Sequence, residues 1–156
     1  MAVSSESSLR GRVAVVTGGS RGIGRSIADA LAAKGAAVGV MFREREAPAR
    51  EFEAAVRNAG GQAWAGQCDL SDEASVGAFF DAAAAALGPV DILVNNAGIT
   101  RDAHVLFHDR AKWETVLSVN LDAAYYCVRA VVRSMLLRRW GRIINVSSPS
   151  ARLPLA

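Results

Sequence analysis

The 156-residue chain holds only two cysteines, two histidines, two tyrosines and two lysines, and this scarcity excludes several chemistries. Cys68 and Cys127 stand in no Cys-x-x-Cys or other metal spacing. Each is expected to be a small buried apolar side chain in a reducing compartment. His104 and His108 have no Cys, Asp or Glu partner at ligand spacing and read as loop residues, so no metal site is expected. Charge of one sign is also lacking. Eighteen basic residues face fifteen acidic ones for a net +3, and the arginines scatter, which argues against a nucleic-acid-binding stripe. No run approaches the roughly 20 apolar residues of a membrane span; the longest is the alanine tract at residues 82–87. The opening stretch, MAVSSESSLRGR, has no apolar core and does not read as a secretory signal. With 51% hydrophobic and 21% charged residues, the chain is too apolar to be disordered, and its length suits one domain. The expectation is a soluble, cytoplasmic protein with residues 1–8 as a flexible tail and 9–156 as one domain.

What is present is an alternation of apolar strands and helices. Residues 12–17 are a β-branched run that stops at glycines and reads as a buried strand. Helical spacing follows over 23–34, with Gly35 as a C-terminal cap. Residues 37–42 form a second strand, 46–58 a helix ended by Gly60 and Gly61, and 62–67 a weaker third strand. Ser71 is expected to cap a helix running to Leu87, with Asp72 and Glu73 in its first turn. Residues 91–95 read as a fourth strand, 109–139 as a helical stretch ended by Gly141, and 142–147 as a fifth strand. Such alternation implies a parallel α/β sheet covered by helices on both faces. The helix beginning at Leu121 places Ala124, Val128, Val131, Val132, Met135 and Leu136 on a broad apolar surface, from which self-association is expected.

Thr17, Gly18, Gly19, Ser20, Arg21, Gly22, Ile23 and Gly24 lie between the first strand and the first helix. Glycines there let the backbone turn sharply and approach a pyrophosphate, whose charge meets the free N–H groups of a helix N-terminus. A plain Gly-rich loop is the alternative reading, and the strand–loop–helix context favours the dinucleotide site. Asn95 and Asn96 end the fourth strand, where ligands bind in open α/β sheets, although Asn-Asn with Gly98 equally suits a polar turn. Asn120 falls within an apolar helical stretch, where a side-chain amide competes with the backbone.

These motifs together resemble the short-chain dehydrogenase/reductase family. Thr17, Gly18, Gly22 and Gly24 match its Thr-Gly-x-x-x-Gly-x-Gly fingerprint, Asn95–Gly98 match its Asn-Asn-Ala-Gly, and Asn120 and Ser148 match two further positions in the same order. Within the family, residues 95–102 and the GRIINVSS segment are most similar to β-ketoacyl-[acyl-carrier-protein] reductases. The resemblance implies a Rossmann-like doubly wound sheet of five parallel strands in order 3-2-1-4-5. It implies a dinucleotide site formed by Thr17, Gly18, Ser20, Arg21, Gly22, Ile23, Gly24, Arg43, Asp69, Leu70, Asn96, Ala97 and Gly98. Asn120 would sit at a helix irregularity beside a proton-relay water, and Ser148 would hydrogen-bond the substrate carbonyl.

The family's catalytic Tyr-x-x-x-Lys pair occurs nowhere in the chain, whose lysines are Lys34 and Lys112. By the resemblance it falls beyond Ser148, so the chain is expected to be the N-terminal part of a longer protein, truncated on the C-terminal side of the sheet and inactive alone. The implied activity is NADPH-dependent reduction of a 3-oxoacyl thioester, either small or carrier-protein-bound, by a homo-oligomer. A dinucleotide-binding remnant that acts by association with an intact homologue is the alternative. NADP(H) is expected over NAD(H) because Phe42 and Arg43, with Arg21 nearby, replace the acidic residue that binds a ribose 2′-hydroxyl.

Overall fold

Short runs of valine, isoleucine and alanine build the sheet, because β-branched side chains fit a pleated surface buried on both faces. The computed structural model describes residues 8–102, 104–107 and 109–148; residues 1–7, Ala103, His108 and 149–156 lie outside the described residues. The strands are β1 (Val13–Val16), β2 (Ala37–Phe42), β3 (Ala63–Gln67), β4 (Ile92–Asn95) and β5 (Arg142–Asn145). All neighbours pair in parallel, in the expected order β3-β2-β1-β4-β5, with Val13 opposite Ala37, Ala14 opposite Ile92 and Ile92 opposite Arg142.

Each parallel step needs a crossover, supplied by α1 (Gly22–Ala33), α2 (Glu46–Asn58), α3 (Glu73–Leu87) and, before β5, α4 (Arg110–Leu117) and α5 (Ala123–Leu137). On one face Val15, Met41 and Leu93 pack with Phe79 and Phe80 of α3 and with Cys127, Val131 and Met135 of α5. On the other face Val16, Val38, Val40 and Val94 pack with Ala28 of α1 and Phe52 of α2. Gly35 takes the left-handed φ of +89° just past α1, as its expected capping place requires.

Three local expectations are corrected. Asp72, not Ser71, caps α3: its carboxylate accepts from the Ala74 amide at 3.0 Å, while the Ser71 hydroxyl is taken by Asp69 at 2.6 Å. The expected helical stretch 109–139 is found as α4, a π-turn over Ser118–Asp122 and α5 in unbroken succession. At its end Arg139, rather than Gly141, adopts a left-handed φ of 55°. The expected apolar surface of α5 also divides. Val131 and Met135 belong to the core, Ala124, Val128 and Val132 are half-buried, and Leu136 is exposed. No described helix is long and apolar enough to cross a membrane.

The start of the sheet is held by Asp91, which is buried. Its carboxylate accepts from the Val13 amide at 3.0 Å and from Arg138 at the end of α5, and Arg12 lies 3.6 Å away. Arg138 also donates to the Val90 carbonyl at 2.6 Å, and the Arg12 guanidinium stacks 3.7 Å above the Trp140 ring. This knot ties β1, β4 and α5 together at the end of the sheet opposite the candidate site.

Candidate functional site

The C-terminal ends of β1, β2, β3 and β4 open into a cleft of about 440 Å3. Twelve of the thirteen residues proposed for the dinucleotide site line it: Gly18, Ser20, Arg21, Gly22, Ile23, Gly24, Arg43, Asp69, Leu70, Asn96, Ala97 and Gly98. Widely separated segments of sequence converge there because a parallel sheet brings every strand's C-terminal end to one edge.

The loop after β1 is shaped for close approach. Gly22 has a φ of +56°, which side chains disfavour. At Gly24 a Cβ would collide with Asn96 Nδ2 and the Gly18 carbonyl, so the first turn of α1 can sit against the turn after β4 only with glycine there. Asp72 caps α3 and Asp109 caps α4 through their carboxylates, whereas Arg21 at the N-terminus of α1 makes no side-chain cap. The first amides of α1 are therefore available to an anion in the cleft. A backbone cradle without side-chain bulk, at a helix start without a cap, fits the pyrophosphate of a dinucleotide.

Thr17 differs from the other twelve. It is buried beneath the cleft. Its hydroxyl accepts from the amides of Asn96 at 3.0 Å and Ala97 at 2.9 Å, and it donates to the Val94 carbonyl at 3.4 Å. Asn96 returns the tie by donating its Nδ2 to the Thr17 carbonyl at 2.9 Å. Thr17 thus fastens the glycine loop to the Asn-Asn-Ala-Gly turn, and the cleft wall is made by its neighbours.

The cleft is also lined by Arg43, Glu44 and Arg45 after β2 and by Asp69 after β3, while Arg21 stands in the glycine loop itself. Arg43 Nη2 is 3.5 Å from Asp69 Oδ2. Hydrogen bonds from the Ser71 hydroxyl and amide, with a smaller contribution from Arg43, hold the Asp69 carboxyl below its ordinary range. Met41, Glu44, Arg45, Cys68, Ile99 and Val119 also line the cleft and were not singled out in the sequence. Cys68 directly follows the end of β3, and Glu44 and Arg45 stand in the loop just past β2, so the strand-end rule could have found them. Val119 has no such signal.

A second cavity of about 300 Å3 shares Leu70, Ala97 and Val119 with the cleft and extends beneath α5 to β5. Asn120 reaches it from the π-turn, the irregularity the resemblance implies. Its amide grips the turn after β4, accepting from the Ile99 N–H at 2.8 Å and donating to the Ile99 carbonyl at 2.9 Å. Asn95 donates to Asn145 Oδ1 at 2.9 Å across the β4–β5 pair, and its own buried Oδ1 has no partner among the described residues. Cys127 lines the same cavity, and burial pushes its thiol up to about 12, so it stays protonated and inert. Ser147 is in the lining. Ser148 follows it, exposed, and does not join either cavity.

The chain is similar to proteins that carry this arrangement. It is 45% identical over 152 residues to the short-chain reductase protein NovJ of Streptomyces niveus, covering 97% of this chain and 56% of that protein. It is 39% identical over 143 residues to the 3-oxoacyl-[acyl-carrier-protein] reductase FabG of Aquifex aeolicus, covering 92% and 58%. The chain thus spans a little under three-fifths of these curated relatives. The crystal structure of a metagenomic short-chain oxidoreductase in complex with NADP superimposes with a TM-score of 0.89 at 42% identity, covering 96% of this chain and 68% of that one. The short chain dehydrogenase profile matches residues 12–156. With the sheet order, the glycine loop and the strand-end cleft all in agreement, this chain belongs to the short-chain dehydrogenase/reductase family.

Proposed function

We propose that the full-length protein is an NADPH-dependent reductase of 3-oxoacyl thioesters carried on an acyl carrier protein, and that this chain is its single dinucleotide-binding domain over residues 9–156. The observation that carries the reading is the cleft itself. An uncapped helix N-terminus and a glycine cradle that carries Arg21, with Arg43 and Arg45 following β2 in the same cleft, suit a phosphorylated dinucleotide. The carrier-bound substrate is supported by the similarity to 3-oxoacyl-[acyl-carrier-protein] reductases. Self-association of the full-length protein in the cytoplasm accompanies this reading, through the exposed side chains of α4 and α5.

A bound nicotinamide cofactor supplies the hydride. Of this chain's residues, the first amides of α1 hold the pyrophosphate, Arg21 and Arg43 hold the 2′-phosphate, and Asn96–Gly98 shape the wall beside the dinucleotide. Ser148 hydrogen-bonds the substrate carbonyl and polarises it. Asn120 fixes the π-turn whose backbone faces the proton path. A Tyr-x-x-x-Lys pair, which the 156 residues do not contain, donates the proton in the full-length enzyme. A second reading is that the chain binds a dinucleotide without catalysis and acts in association with an intact homologue. The test is NADPH consumption by the full-length protein with a 3-oxoacyl thioester on its carrier. Turnover with NADPH, and little with NADH or with a simple ketone, is expected; dinucleotide binding with no turnover would favour the second reading.

A further inference from the structure

Arg43 bears on the choice between phosphorylated and unphosphorylated cofactors, and it is already engaged. Its guanidinium lies 3.5 Å from Asp69 Oδ2 and 4.0 Å from Glu44 Oε1. Asp69 is the anchored member of the pair. Its Oδ1 accepts from the Ser71 hydroxyl at 2.6 Å and the Ser71 amide at 3.0 Å, and its own amide donates to Ser75 Oγ at 3.0 Å. Only Oδ2 is left to face Arg43. The strand ends that carry the two residues are fastened as well: Gln67 Nε2 donates to the Arg43 carbonyl at 2.9 Å, and the Cys68 amide donates to the Phe42 carbonyl at 2.9 Å.

We infer that Asp69 is a specificity-determining residue, one that competes with the cofactor's 2′-phosphate for Arg43. The inference rests on the dinucleotide reading of the cleft. A 2′-phosphate carries about −1.5 to −2 charges at neutral pH. To reach Arg43 it displaces a carboxylate that Ser71 holds in place, and it then sits close to that carboxylate's charge. An unphosphorylated ribose meets neither obstacle. Asp69 therefore narrows the margin by which the cleft prefers a 2′-phosphorylated nucleotide, while Arg43 creates that margin. Both side chains are partly solvated, at 61% and 42% exposure. The expected effect is thus that of a surface ion pair, about two- to fivefold in relative affinity.

The experiment titrates the chain with adenosine 2′,5′-bisphosphate and with adenosine 5′-monophosphate at fixed ionic strength, and reads the ratio of the two affinities. Asp69→Asn, which keeps an acceptor for Ser71 and removes the charge, is expected to widen the ratio about two- to fivefold. In an Arg43→Gln background the same substitution is expected to leave the ratio unchanged. Asp69→Ser serves as a second charge-removing variant should Asp69→Asn fail to fold. Equal shifts for both probes, or the same widening without Arg43, would overturn the inference. Wild-type protein that binds neither probe overturns the dinucleotide reading and the inference with it. Wild-type protein that does not discriminate, beside an Asp69→Asn variant that does, keeps the inference and overturns only the NADP(H) preference.

Discussion

Strands β2 and β5 lie on opposite flanks of one sheet, yet all six residues of β2 are buried and all four of β5 are exposed. The β2 flank is covered on both faces, by α1 and α2 on one side and by α3 on the other. On the β5 flank α4 buries no residue, and Ile143, Ile144, Leu136 and Leu137 face solvent. The burial difference follows the chemistry. Residues proposed to hold the dinucleotide lie on or beside the closed flank, and those proposed for catalysis, Asn120 and Ser148, lie on the open one. The cleft proposed to hold the dinucleotide is walled by packed elements on the closed flank, while Asn120 on the π-turn and the exposed Ser148 stand on the open one.

The largest effect that would break this contrast is catalysis by the 156-residue chain itself. NADPH oxidation with a 3-oxoacyl thioester is expected to run at least about 10²–10⁴ slower than in a chain extended through a Tyr-x-x-x-Lys pair, the usual loss for a missing general acid. Comparable rates would mean that another group, such as Tyr125 or a tyrosine of a second copy, supplies the proton. Stability provides the next contrast. Phe52, fully buried on the closed flank, is expected to cost about 3–5 kcal/mol when cut to alanine. Ile144→Ala on the open flank, where the side chain is 48% exposed, should cost less than about 1 kcal/mol. Urea denaturation of the two variants tests the pair, and equal losses would show that β5 is covered in solution.

Asp91 joins the two flanks, since its carboxylate bonds β1 and the end of α5 together. Asp91→Ala leaves the buried Val13 amide without its partner and Arg138 without its counter-charge. A loss of about 3 kcal/mol is expected, read by the same denaturation. If α5 and β5 separate from a still-folded β1–β2–β3 unit, amide hydrogen exchange in this variant will rise first in α5 and β5. Arg43→Gln acts on the closed flank without touching its core. NADPH affinity is expected to fall about tenfold through loss of a charge-assisted bond, with no change in Tm.

The alternation of apolar runs made the strands and their parallel pairing legible, because each parallel step needs a helical crossover, while the strand order came from the family resemblance. Glycines at 18, 22 and 24 were legible for a similar reason: a β-α turn against a ligand has room for little else. The misses came from local competition. Ser71 and Asp72 both suit a helix cap, and Asp69, two residues before Ser71, draws off the serine hydroxyl and leaves the cap to Asp72. Thr17 is not among these misses: its hydroxyl bonds the backbone of the neighbouring turn, and it lines the second cavity beside the cleft. The burial of Val131 and Met135 depends on which side of α5 meets α3, and helical spacing alone does not fix that side.

The smallest expected effect lies at the polar rim of the closed flank. The Asp69 carboxyl is depressed below its ordinary value of 3.8, first by the Ser71 hydroxyl, then by the Ser71 amide, with Arg43 adding a charge contribution and burial opposing it. A carboxyl with a lower value in the folded than in the unfolded protein stabilises the fold fully above its unfolded value. That contribution fades as pH falls through the folded one. The window therefore lies below about pH 4. Thermal unfolding of the wild-type chain and of Asp69→Asn is expected to show a constant wild-type advantage from neutral pH down to about 5, shrinking below about 4. At 42% exposure the side chain is screened by solvent, so this advantage stays smaller than either the Phe52 or the Asp91 effect. An advantage that persists unchanged into strong acid would mean that Asp69 holds its turn through shape and neutral hydrogen bonds. In that case its charge would be available to act on the cofactor alone.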